Sequence, residues 1–359
     1  MIRTLGNLQH TPASSASSSS MSPRMFGAAA PVCQVPCLRE SQVHIVRKKS
    51  PRPASLRTYA RVPRTNAVVA VERINADAKI VRHRFPNLRA SDFRHPLDEQ
   101  NTRILKTIPG VDLVSKEFMA PIIEQMLYIE NIGTSVLVGE KQVAGLHKSM
   151  LEAADILGIA APDVYVRQSA EPNAYTLAIS GKKPFVVVTT SLIELLSPEE
   201  LQVVLAHELG HLKCDHGVWL TFANLLAVSA FQIPGIGALI YSNVQDALMR
   251  WVRAAELTCD RAALLVAQDP KVVVSVMMKL AGGCPTLAKE LNVEAFLEQA
   301  RSYDEATNNP IGWYLRNAQS SQLTHPLPVL RAREIDRWAA SEEFTALLKR
   351  GRRQAGSSS

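Results

Sequence analysis

Residues 197–214 read SPEELQVVLAHELGHLKC, and this stretch decides the fold. Ser197 is a good helix N-cap, Pro198 suits the first turn, and Glu200, three residues after Ser197, completes a capping box. Leu201, Val204, Leu205, Leu209 and Leu212 supply apolar positions, so the spacing predicts a buried helix running from Pro198 to about Cys214. His207 and His211 are four residues apart on it. Four residues turn about 40° beyond a full turn and rise about 6 Å, which sends both imidazoles off one face. Two neutral imidazole nitrogens at that separation can reach one Zn²⁺ at about 2.0 Å. Glu208 projects about 100° round from His207, beside the metal rather than onto it. A carboxylate there can accept a proton from water that a metal acidifies, while the metal polarises a carbonyl.

A catalytic zinc needs a third protein ligand and an open position. Six residues beyond His211 stands Gly217, not a histidine, and His216 falls about 140° further round the helix, so it is expected on the surface, pointing away. The later segment RAAELTCDRAALL puts Glu256 and Asp260 on one helical face among Ala254, Ala255, Leu257 and residues 262–265. Glu256 is assigned to the metal, and Asp260, one turn on, is suited to accept the second N–H of a ligating histidine. Taken alone, two acids so spaced would read as a solvated face.

The combination of AHELGH, Glu256 with Asp260, and THPLPVLR resembles the zinc metallopeptidase family that includes bacterial HtpX and the CAAX prenyl proteases. The likeness spans about residues 173–333, and more weakly back to about 120. It implies that Arg253, Glu256 and Asp260 match the family's Arg-x-x-Glu-x-x-x-Asp element, with Val252 and Cys259 standing where serine and alanine are usual. It also implies that His325, Pro326 and Arg331 match a late His-Pro element, with His325 donating to a developing oxyanion. Asn173, Ala174 and Tyr175 resemble the family's edge strand, where a substrate backbone adds as a further strand. The resemblance implies a protein or peptide substrate and one Zn²⁺ per chain.

The rest of the chain sets the context. Residues 1–66 carry ten Lys or Arg against one acid, Glu40, so this segment is +9 and the remainder −2, within an overall +7. The nearly neutral body implies no nucleic-acid partner. The basic, Ser-rich leader has no continuous apolar core and fits a plastid transit peptide better than a secretory signal. It takes Cys33 and Cys37 with it, and the scattered Cys214, Cys259 and Cys284 suggest no disulfide framework. The chain is therefore divided into a disordered leader (1–66), a surface arm (67–115), a zinc metallopeptidase domain (116–340) and a basic C-terminal tail (341–359), of which 349–359 are expected to fray. Residues 116–158 read as helical with a break at Gly133, and 164–167, 175–179 and 185–190 as short strands. Residues 218–241 are uncharged, but their Pro234-Gly235 pair favours a buried hairpin or contact with a lipid surface over a span.

The expected fold is α+β and mainly α-helical: a zincin-like domain with a small β-sheet beside the HExxH helix. The expected function is a zinc endopeptidase acting on plastid proteins at a plastoglobule or thylakoid membrane, a location that the leader and the resemblance to plant plastoglobule-localised members of the family both imply. The competing readings are an inactive zinc-binding adaptor at a plastid lipid surface and a zinc-stabilised structural protein.

Overall fold

The helix of residues 197–214 is the axis of the structure, a computed structural model that describes residues 82–107 (except 86), 121–178, 183–217, 219–220, 223, 234–321 and 323–353. Its elements are β1 (His83–Arg84), α1 (Pro96–Lys106), α2 (Pro121–Thr134), β2 (Ser135–Leu137), α3 (Ala144–Leu157), β3 (Asp163–Arg167), β4 (Ala174–Leu177), β5 (Phe185–Thr189), α4 (Thr190–Leu195) and α5 (Pro198–Lys213). There follow α6 (Gly237–Ala267), α7 (Pro270–Gly282), α8 (Val293–Thr307), α9 (Pro310–Ser321), α10 (Pro328–Ala339), α11 (Glu342–Arg350) and β6 (Arg352–Arg353). A mainly helical fold with a small sheet beside the HExxH helix is what the sequence predicts; the described residues add a two-stranded pair, β1 with β6.

The capping box forms: Glu200 N donates to Ser197 Oγ at 3.3 Å, and Ser197 N donates to the Glu200 carboxylate at 2.8 Å. Glu200 is buried and also accepts from Ser275 Oγ at 2.7 Å and Lys279 Nζ at 2.6 Å on α7, so the cap ties two helices together. α5 packs against α3, α6 and α7 and, on another side, against β4. Gly210 permits the closest part of the approach to α6. A Cβ there would lie 3.0 Å from Cys259 Cα and 3.0 Å from Ala262 Cβ.

The larger sheet has the order β2-β3-β5-β4, with β3 and β5 parallel and the outer pairs antiparallel. β5, all five residues buried, is the apolar centre, and β4 is an edge. The predicted strands are matched within a few residues. The predicted break in 116–158 comes after Thr134 rather than at Gly133, and the chain there forms β2 before α3.

Three expectations need correction. The arm before residue 107 is no surface appendage: Phe85, Leu88 and Phe93 enter the main core, and the Asp98 side chain is fully buried. The described part of the segment expected to fray, 349–353, is ordered as the end of α11 and β6. Ser341 caps α11 by accepting from Phe344 N, Phe344 and Leu347 join the main core, and β6 pairs antiparallel with β1. Third, His216 is buried, not surface-exposed. The helix does not continue through it, because α5 stops at Lys213 and Asp215 takes a left-handed backbone (φ 55°). Aspartate tolerates that conformation better than most residues. The reversal carries His216 back toward the histidine face, so the 140° projection does not apply.

Most of 218–241 lies outside the described residues, as do 1–66. Trp219 and Ala223 pack with Leu248 and Trp251 of α6 in a small separate core. Among the described residues no helix is long and apolar enough to cross a membrane.

Candidate metal centre

His207 and His211 leave α5 with ring centroids 5.2 Å apart and face Glu256 of α6. The carboxylate spans both rings: Oε2 is 3.3 Å from His207 Nε2, and Oε1 is 3.5 Å from His211 Nε2. Each histidine is held from behind. His207 Nδ1 lies 3.0 Å from Asp260 Oδ1, and Arg331 of α10 grips the same carboxylate with Nε at 2.8 Å and Nη2 at 2.6 Å. His211 Nδ1 lies 3.2 Å from His216 Nδ1. Asp260 thus lies against a histidine, as expected, and Arg331 lies against Asp260.

The buried centre collects negative charge. Burial alone would raise the pKa of Glu256, but hydrogen bonds from His207, His211 and His325 hold it well below the ordinary carboxylate range. Burial likewise opposes ionisation of Asp260, and the Arg331 guanidinium overrides it. His207 shows the reverse: burial disfavours its proton, yet Asp260 and Glu256 push its pKa up to about 10. The two carboxylates that favour the extra proton on His207 favour a small cation in the same place. Two imidazole nitrogens and one carboxylate are a donor set suited to Zn²⁺, so the residues present fit a zinc ion.

A second grouping is available, since donor atoms of His207, His211 and Cys259 also lie within 4.8 Å of one another. Glu256 is the better third donor. The Cys259 thiol is kept protonated, first by burial and then by neighbouring charges including Glu256, and only a thiolate ligates well. Glu256 is already ionised and touches both Nε2 atoms.

Glu208 is buried beside the histidines and accepts a hydrogen bond from Thr176 Oγ1 at 2.6 Å. Thr176 is on β4, one residue past the Asn173–Ala174–Tyr175 segment singled out in the sequence. Asn173 O accepts from Thr189 N at 3.0 Å, and Tyr175 sits opposite Val187. Antiparallel ladders alternate, so the main-chain groups of Ala174 and Thr176 are directed away from β5, toward the open edge. The Tyr175 side chain packs on the other face with Tyr165, Leu177, Phe185 and Val187.

His325 is 60% exposed and its Nδ1 is 2.6 Å from Glu256 Oε2. Arg253 does not reach the metal-facing groups through its described bond; it donates from Nη1 to Leu323 O at 3.2 Å, securing the loop that carries His325. Sequence reasoning missed Thr176, His216 and Asp98. Thr176 was legible as the next position on the edge strand, and His216 was seen but projected wrongly.

A mainly helical fold built on a capped HExxH helix, with a glutamate from a second helix facing both histidines, defines a metal-dependent peptidase. The Peptidase family M48 model matches residues 140–339, and the chain belongs to that family. Within it, the chain is 65% identical over 271 residues to the plastoglobule-localized metallopeptidase 48, chloroplastic, of Arabidopsis thaliana, covering 76% of this chain and 79% of that one. It is 30% identical over 172 residues to protease HtpX homolog 2 of Methanosarcina acetivorans, covering 41% and 58% respectively. A solved structure, that of S. mikatae Ste24p, aligns with TM-score 0.39 at 17% identity over 67% of this chain and 62% of that chain.

Proposed function

We propose that the chain is a zinc-dependent endopeptidase that binds one Zn²⁺ through His207, His211 and Glu256 and uses Glu208 as general base. The observation that carries this reading is the Glu256 carboxylate lying 3.3 and 3.5 Å from the two Nε2 atoms, with a second carboxylate, Glu208, held alongside by Thr176. A bound zinc supplies Lewis-acid polarisation of the scissile carbonyl and acidifies the attacking water. The chain's residues do the rest. The open edge at Ala174 and Thr176 accepts the substrate backbone as an added strand, which tolerates many side chains. Glu208, steered by the Thr176 hydroxyl, takes the proton of the water and passes it to the leaving amine. His325, exposed above Glu256, donates to the oxygen that gains charge. Asp260, clamped by Arg331, fixes the His207 tautomer, and Arg253 holds the His325 loop.

The likeness to a chloroplastic, plastoglobule-localized relative and the basic, Ser-rich leader support plastid proteins at a lipid surface as substrates. Ile236 and Leu239, 55% and 67% exposed, support lipid contact at the end of 218–241. The test is zinc content together with casein cleavage by the purified chain, wild type beside Glu208→Gln. One zinc per chain in both, with turnover falling at least about a hundredfold in the variant, is the expected result. Zinc in both without wild-type cleavage of casein or other unfolded proteins would favour the adaptor, and no zinc in either would remove the site.

A further inference from the structure

The side chain of Asp98 makes contacts that the metal centre described above leaves unexplained. This residue lies on α1, in the segment before the peptidase core, and its carboxylate is fully buried. It accepts from Trp251 Nε1 at 2.8 Å, from Thr258 Oγ1 at 2.8 Å and from Thr102 Oγ1 at 3.3 Å. Its Oδ2 also lies 3.0 Å from His216 Nε2. The other nitrogen of His216 is 3.2 Å from His211 Nδ1.

The proton positions along this chain follow from the ends. A histidine that offers the Nε2 lone pair to a cation carries its proton on Nδ1. That proton on His211 needs an acceptor, and the atom in front of it is His216 Nδ1. His216 must then bear its own proton on Nε2, where the Asp98 carboxylate receives it. Every other group on Asp98 is a donor, so the carboxylate cannot reverse the polarity. The Cys259 thiol, its Sγ 3.6 Å from His216 Nδ1, is a weak donor and a weak acceptor, and the His211 N–H and the Asp98 carboxylate outweigh it in setting the tautomer.

We propose that Asp98 and His216 are positioning residues for the metal, forming a carboxylate–imidazole relay that fixes the tautomer and basicity of His211. The two ligating histidines are then supported in different ways. His207 meets a carboxylate directly, whereas His211 meets one through an intervening imidazole. Outer partners of ligating histidines typically contribute about 10–100-fold in metal affinity.

This inference rests on the zinc site proposed above, and its test separates the two. In the full-length protein, zinc affinity is measured by chelator competition for wild type, Asp98→Asn and His216→Phe. Asp98→Asn keeps the shape but presents an N–H toward His216 Nε2, which drives the His216 proton onto Nδ1, against the His211 N–H. The relay predicts a loss of about 10–100-fold in zinc affinity for both variants. It also predicts an altered visible spectrum when cobalt replaces zinc. The tautomers are read independently by ¹⁵N NMR of histidine-labelled wild type with zinc bound. His216 protonated on Nε2 and His211 on Nδ1 is the expected pattern, and it decides the question even if a variant fails to fold. Wild type that binds no zinc overturns the metal site itself. Wild type that binds zinc, with His216 protonated on Nδ1 or with folded variants of unchanged affinity, overturns the relay alone.

Discussion

Replacing Gly210 with alanine puts a methyl group into the contact between the two helices that carry the proposed ligands. The new carbon would meet Cys259 Cα and Ala262 Cβ, each at 3.0 Å, and Cys259 Sγ at 3.2 Å. Two of these are main-chain or Cβ atoms, so relief requires α5 and α6 to separate by a few tenths of an ångström. Alanine favours a helix interior over glycine by about 1 kcal/mol, whereas overpacking a close contact costs about 1–3 kcal/mol. The net is a loss of about 0–2 kcal/mol, or roughly 0–8 °C in Tm at about 2–4 °C per kcal/mol. The site should suffer more than the fold. Glu256 is three residues from Cys259, and separating the helices draws its carboxylate from the two Nε2 atoms. A misplacement of about 1 Å can cost a hundredfold in rate, so a shift of a few tenths should cost about tenfold in kcat/KM. The assays are thermal denaturation, chelator competition for zinc and peptide turnover. Gly133→Ala, whose new carbon meets nothing within 4 Å, serves as the control and should be neutral or stabilising. A Gly210→Ala protein more stable than wild type by the full propensity gain, with unchanged turnover and zinc affinity, would refute the close-approach argument.

Thr176→Val deletes the hydroxyl 2.6 Å from Glu208; steady-state kinetics should show kcat down about 10–100-fold with KM and zinc content unchanged, since bonds to charged groups contribute about 1.5–3 kcal/mol. In the metal-free chain the raised pKa of His207, about 10 against 6.5, contributes stability that is complete below about pH 6.5 and lost as pH climbs through 10. The denaturation midpoint of that form should fall across the window, and zinc binding near pH 8, followed by calorimetry in buffers of different ionisation enthalpy, should release about one proton from this residue. Phe344→Ala, at a side chain 5% exposed, should lower stability by about 3–5 kcal/mol in chemical denaturation; no change would mean that α11 is not part of the core.

What was legible in the sequence was local. The Ser197–Glu200 box and Pro198 fix the start of α5 because a cap is made by residues three apart. The pair at 207 and 211 is fixed by helical pitch alone. The second group, Glu256 and Asp260, needed the family likeness to choose it over a solvated face. The errors came where a conformation or a distant contact decided. One left-handed residue, Asp215, redirected His216, and no periodicity announces such a turn. Asp98 reaches His216 across 118 residues, with nothing local to mark it. The C-terminal helix was hidden by its own basic end. Lys349 and Arg350 suggested a frayed tail, yet Ser341 followed by Glu342 and Glu343 is an ordinary helix start, and Arg350 finds Asp92 at 2.6 Å.

The clamp of Arg331 on Asp260 also sets an order in time. A chain grows from its N-terminus, so the two histidines and Glu208 emerge before Glu256, and the guanidinium that neutralises Asp260 emerges some seventy residues later still. Until then Asp260 has no arginine to offset its charge, and the pocket around His207 cannot settle. On the site proposed above, a copy of the chain that ends before Arg331 lacks the partner of Asp260 and should hold zinc less tightly than the whole chain.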